Sequence, residues 1–150
     1  MGQISSILEL ARQRGESKQL PYAGEVTPRE AWTLIQNAPG TVLVDVRSQA
    51  ECYWVGRVPN AVEIEWLSWP GMHKNEHFMV QLNRQVDREA LVLFLCRSAQ
   101  RSHHAAVLAT ASGWGNCYNI LEGFEGDKDA NNQRGRAGGW RQAGLPWSQN

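Results

Sequence analysis

A chain of 150 residues, 42% hydrophobic and 20% charged, suffices for one domain with a single core and is too apolar for wholesale disorder. Its 15 basic and 15 acidic residues cancel, so no global charge recruits nucleic acid or an anionic membrane, and anion chemistry requires a local cluster. The opening residues lack the apolar stretch of a secretory signal, and no run approaches the roughly 18 apolar residues of a membrane span; a cytoplasmic protein is expected.

In chain order, Ile4, Ile7, Leu8 and Ala11 recur at helical spacing and predict an N-terminal helical extension within residues 1–20, ended by Gly15. The first six residues, Met1-Gly2-Gln3-Ile4-Ser5-Ser6, fit the loose N-myristoylation pattern, which many sequences match by accident. Tyr22 to Val26 reads as a strand. Thr27-Pro28-Arg29-Glu30 then opens a helix with a cap, a proline in its first turn and a glutamate three residues after the cap. That helix stops at the turn Asn37-Ala38-Pro39-Gly40. Thr41 to Val46 and Leu91 to Leu95 are continuous apolar runs, the pattern of parallel strands buried on both faces. Ala61 to Ile64 and Cys117 to Leu121 are weaker strand candidates. Helical patterns at 48–54, 75–84 and 101–112 lie between the strands, which argues for a parallel sheet of about five strands with helices on both faces. Residues 123–150 read as a glycine-rich loop and a tail pinned by Trp140, Leu145, Pro146 and Trp147.

Ligands of open parallel sheets gather at the carboxyl ends of the strands. That rule collects Asp45-Val46-Arg47, Glu65-Trp66, Cys96 to Arg101 and Glu122-Gly123. Cys96 is the informative member. It follows an apolar strand and precedes a helix, so the free amides of the first turn face it, and Arg97 and Arg101 add positive charge; all of this favours a thiolate nucleophile. Cys52 and Cys117 suit core packing better, and an odd number of cysteines with no zinc spacing suggests unpaired thiols and no metal. His73 and His77 share helical spacing without a third ligand in register, which favours a solvated face over a metal site. Asp45, Arg47 and Trp66 are supporting candidates: Asp45 as a cap or ion-pair partner, Glu51 as partner to an arginine, and Trp66 with Trp69 as walls of the pocket or parts of the core.

Cys96-Arg97-Ser98-Ala99-Gln100-Arg101-Ser102 resembles the active-site loop of single-domain rhodaneses. Asp45-Val46-Arg47 with Glu51, Gly56 to Ala61, Leu121-Glu122-Gly123 and Gly139 to Pro146 resemble further segments of that family, in the same order. The resemblance implies a rhodanese-like three-layer sandwich and a sulfurtransferase without a cofactor. In that reading Cys96 takes sulfane sulfur from a donor such as thiosulfate and passes it to cyanide, a thiol or a protein acceptor. It further implies that Arg97, Ser98, Ala99, Gln100 and Arg101 bind the donor and the persulfide. Ala99 in place of a common glycine, Arg57 in place of histidine and the polar stretch 127–138 depart from the family pattern. Two other readings compete: a non-catalytic binding module on the same scaffold, and a cysteine phosphatase or arsenate reductase. The four residues between Cys96 and Arg101 make a loop too short for the latter.

Overall fold

Each of the five strands expected from the sequence becomes a parallel strand, and the computed structural model, which describes residues 2–150, stacks them in one sheet. The strands are β1 (Gly24–Val26), β2 (Val42–Asp45), β3 (Val62–Glu63), β6 (Val92–Leu95) and β7 (Cys117–Ile120), in the order β1-β7-β6-β2-β3. A small antiparallel hairpin, β4 (Leu67–Ser68) with β5 (His73–Lys74), lies outside that sheet. The helices are α1 (Gln3–Ser17), α2 (Pro28–Asn37), α3 (Gln49–Trp54), α4 (Phe78–Gln85) and α5 (Gln100–Ala111). Met1, the first residue of the acylation pattern, lies outside the described residues.

Strand alternation sorts the core into two layers. Val44, Val46, Val92, Phe94 and Cys96 pack with Phe78 and Leu82 of α4 and with Ala105, Ala106 and Ala109 of α5. Leu43, Leu93, Leu95, Val26 and Ile120 pack with Ile7 and Ala11 of α1, with Ala31 and Leu34 of α2, and with Phe124, Trp140 and Leu145 of the tail. This is the expected three-layer arrangement. Among the described residues no helix is long and apolar enough to cross a membrane.

Local chemistry sets the element ends. Thr27 Oγ1 accepts from the Glu30 amide at 3.2 Å while Glu30 accepts from the Thr27 amide at 2.9 Å, a reciprocal cap contributing about 1 kcal/mol. Arg14 then grips the same glutamate at 2.7 and 3.0 Å and ties α1 to α2. Gly15 does not end α1 as the sequence suggested. It is buried within the helix, where the missing side chain lets α1 close on Gly24 of β1. The tail is pinned as the sequence suggested: Trp140 is fully buried, its Nε1 donates to the Pro146 carbonyl at 2.8 Å, and its ring meets Trp32 edge-on.

The strand order reverses between β2 and β6, since the chain moves outward to β3 after one and towards β7 and β1 after the other. Their carboxyl ends therefore border a crevice between diverging connections, and Cys96 sits at the end of β6.

The α1–β1 contact generates a stability prediction. A Cβ on Gly24 would lie 2.3 Å from the Ala11 carbonyl oxygen, whereas one on Gly115 meets nothing within 4 Å. Urea unfolding should show Gly24→Ala destabilised by about 2–4 kcal/mol and Gly115→Ala unchanged within about 0.5 kcal/mol. Equal stabilities would refute the backbone contact.

Candidate active site

Cys96 continues the alternation of Val92 and Phe94, so its side chain enters the α5 layer and is only 1% exposed. Burial therefore does not separate it from Cys52 and Cys117, which are also buried and unpaired. Surroundings do. The Cys52 thiol is pushed far above its ordinary range by burial and by the Asp45 carboxylate, and burial lifts Cys117 to about 11. Both stay neutral near pH 7. Cys96 Sγ instead lies 3.2 Å from Ser102 Oγ, whose hydroxyl donates to Asn119 Oδ1 at 2.5 Å. Ser102 and Asn119 are fully buried polar residues that sequence reasoning passed over.

The loop after Cys96 is held by one side of its backbone. The Cys96 carbonyl accepts from the Phe124 amide at 2.8 Å, and the Arg97 carbonyl from Glu125 and Gly126 at 3.0 and 3.3 Å. Gly123 makes this approach possible: with φ +67°, a Cβ there would lie 2.4 Å from the Arg97 oxygen. The amides of Arg97 to Arg101, by contrast, donate to no group among the described residues. Ala99 occupies the left-handed region at φ 78°, so the departure from glycine puts an alanine where glycine rests more easily. Its carbonyl accepts from Asn119 Nδ2 at 3.1 Å.

Arg101 closes the crevice. It pairs with Glu51 at 2.6 and 2.9 Å, and Glu51 also caps α3 through the Ser48 amide and hydroxyl. Burial works against the Glu51 charge, yet the Arg101 and Ser48 hydrogen bonds hold its carboxyl down to about 2. The same pair holds Arg101 above its ordinary range despite burial.

A cavity of about 490 Å³ opens beside the loop, lined by Arg97, Arg101, Glu51 and Glu125 and walled by Trp54, Trp69 and Met72. Cys96 does not line it. Ser98, Ala99 and Gln100 face a separate groove of about 290 Å³ with Glu25, His103 and Asn119. The loop thus divides the predicted donor-binding residues between two recesses. Asp45 and Arg47 join neither. They pair with each other at 2.7 Å with no solvent exposure, and Arg47 also donates to the Gly56 carbonyl and stacks on Phe124 at 4.1 Å. Trp66 is likewise no part of the cavity wall: its ring packs edge-on against Phe78, while Trp69, 63% exposed, lines the cavity. His73 lies in β5 and His77 caps α4, so the two share no helix, and no group of metal-ligating side chains occurs among the described residues. Arg57 pairs with Glu63 at 3.5 Å, and its backbone bridges to Ser148.

Residues 27–130 match the model of the rhodanese-like domain. The chain belongs to the rhodanese-like domain family. An uncharacterized protein of Rickettsia conorii, RC0915, is 38% identical over 122 residues, which are 79% of this chain and 91% of the relative. The thiosulfate sulfurtransferase GlpE of Actinobacillus succinogenes is 28% identical over 122 residues, covering 81% and 87%. The crystal structure of Rv0390 from M. tuberculosis superposes with a TM-score of 0.79 and 43% identity, over 86% of this chain and 99% of that one. The rhodanese-like match leaves α1 and most of the tail outside its bounds.

The depressed Glu51 carboxyl sets an acid sensitivity. Its folded value lies below the ordinary 4.5, so its contribution is complete above that pH and is lost as pH falls towards 2. Urea unfolding from pH 5 to pH 2 should show the wild type losing on the order of 3 kcal/mol more than Glu51→Gln. Equal acid sensitivity would remove Glu51 as the titrating group.

Proposed function

We propose that the protein is a sulfurtransferase that carries sulfane sulfur as a persulfide on Cys96. The observation that carries this reading is the polarity of the loop: its first two carbonyls are tied to Phe124, Glu125 and Gly126, while five successive amides stay unpaired at the end of α5 beside the thiol. Such a cradle suits an anion one sulfur atom beyond Sγ. Distant similarity to thiosulfate sulfurtransferases supports the same chemistry.

In this mechanism the Cys96 thiolate attacks the outer sulfur of thiosulfate. An Sγ–S bond forms, the donor S–S bond breaks, and sulfite leaves with the bonding electrons. A thiolate or cyanide then attacks the terminal sulfur, the Sγ–S bond breaks, and the Cys96 thiolate returns. No cofactor enters either step. Arg97, exposed in the cavity and unpaired among the described residues, is the anchor for the donor's sulfonate oxygens. Arg101, committed to Glu51, fixes the loop's far end and lends it positive charge. The exposed indoles of Trp54 and Trp69 beside Arg97 suit an acceptor thiol carried on an organic or protein group. Three unpaired cysteines fit a reducing, cytoplasmic setting.

Intact-mass measurement after incubation with thiosulfate should show a gain of one sulfur atom that cyanide removes and that Cys96→Ala abolishes. An unmodified wild type, or an equal gain on the variant, would sink the proposal. Steady-state kinetics should show Arg97→Ala raising KM for thiosulfate about tenfold with kcat changed only a few-fold. Unchanged KM would release Arg97 from the anchoring role.

A further inference from the structure

Behind the loop, Cys96 Sγ, Ser102 Oγ, Asn119 Oδ1 and, through Asn119 Nδ2, the Ala99 carbonyl form one chain at 3.2, 2.5 and 3.1 Å. Its direction follows from its far end. The Ala99 oxygen only accepts, so the Asn119 amide must present nitrogen to it and oxygen to Ser102. The single hydroxyl proton of Ser102 is then spent on Asn119, and Cys96 meets a hydroxyl lone pair. A thiol fits that position by donating its proton to Ser102. A thiolate does not, unless the Ser102 proton turns from Asn119 to Sγ.

We infer that Ser102 and Asn119 are positioning residues that set the charge state of Cys96: Asn119 holds the Ser102 proton away from the sulfur, and ionisation of the thiol swings it back. The inference rests on the sulfur-transfer reading for its purpose but not for its geometry. As Cys96 loses its proton to solvent, the Ser102 hydroxyl changes one acceptor for another and no atom moves farther than a hydroxyl hydrogen. Asn119 Oδ1 loses its buried partner, which opposes ionisation; Ser102 gains a charge-assisted bond, which favours it. Once sulfur is bound, Sγ carries neither proton nor full charge, the hydroxyl returns to Asn119, and the anion sits on the outer sulfur.

The two residues therefore act on the same proton in opposite senses. The remaining charged and titratable groups around them are shared by every variant. They are Arg97 of the loop, Arg101 with Glu51 from α3, Asp45 with Arg47 from β2, Tyr22 and Glu25 from the β1 segment, and His103 and His104 of α5. Tyr22 is hydrogen-bonded to His103 at 2.7 Å and also feels the Asn119 amide.

The test follows thiolate ultraviolet absorbance against pH in the full chain, with the Cys96→Ala signal subtracted so that Cys52, Cys117 and the tyrosines cancel. Ser102→Ala removes the returning donor and should move the Cys96 midpoint up by about one pH unit. Asn119→Ala frees the Ser102 proton for sulfur and should move it down by about half a unit to one unit. In the double variant the downward effect of Asn119→Ala should vanish. Ser102→Ala is nearly isosteric beside Ala105 and Ala106, so it reports even if Asn119→Ala unfolds. An unchanged midpoint in Ser102→Ala, or movement of both single variants in one direction, would overturn the inference. Opposed midpoints in a wild type that gains no sulfur from thiosulfate would leave this proton arrangement standing and sink the sulfur-transfer reading alone.

Discussion

A single buried ion pair organises the carboxyl end of the sheet. Arg47 and Asp45 are wholly screened from water, joined through both carboxylate oxygens, and reached by neither recess beside the loop. Their mutual attraction keeps Arg47 firmly protonated against the cost of burial. The guanidinium gathers two neighbours around it: the Gly56 turn that supplies a carbonyl and the Phe124 ring beneath it. Trp147 then closes over Gly56 where no side chain would fit. Removing either member leaves the other buried without its counter-charge, a loss of about 3–5 kcal/mol. The pair is scaffold rather than reactive group, yet the loop beside it depends on the placement it enforces.

Phe124 links that scaffold to Cys96. Its ring receives Arg47 while its amide holds the Cys96 carbonyl. The loop is thereby anchored through its oxygens from the tail side and through Arg101 from the α3 side. With both attachments made elsewhere, its amides are left without a partner among the described residues. Ala99 adds a strained joint to this arrangement: its left-handed backbone is sustained because Asn119 grips its carbonyl from β7.

Much of this was readable from residue order. The two continuous apolar runs are the central strands because branched residues too few for a helix leave no other buried solution, and Thr27 with Glu30 announced its helix through chemistry confined to four neighbours. The β4–β5 hairpin escaped notice because two residues per strand, Leu67-Ser68 and His73-Lys74, are too few to show alternation. Gly15 misled for a related reason: a glycine that stops a helix and one that admits a neighbouring strand look alike until the neighbour is known. Cys96 was legible as a strand-end thiol, but its partners were not, since Ser102 and Asn119 meet it only after β6, α5 and β7 are stacked. A signal did exist in each. Asn119 is the one polar residue within the run from Cys117 to Leu121, and Ser102 shares the inward face of α5 with Ala105, Ala106 and Ala109. Trp66 and Trp69, three residues apart, were inseparable on paper, and the intervening hairpin turned one into the core and the other towards the cavity.

The two silent thiols shape what happens to any sulfur the protein holds. Cys52 lends its hydrogen to Asp45 at 3.7 Å, Cys117 lends its own to the Trp114 carbonyl at 4.0 Å, and burial keeps both protonated at neutral pH. Burial keeps both from offering a thiolate at neutral pH, so neither is set up as a resolving partner that would collapse the proposed Cys96 persulfide into an internal disulfide. On the proposed sulfur-transfer reading, cargo loaded on such a chain has no clock of its own, and its residence time is set from outside, by the encounter with an acceptor that arrives already ionised.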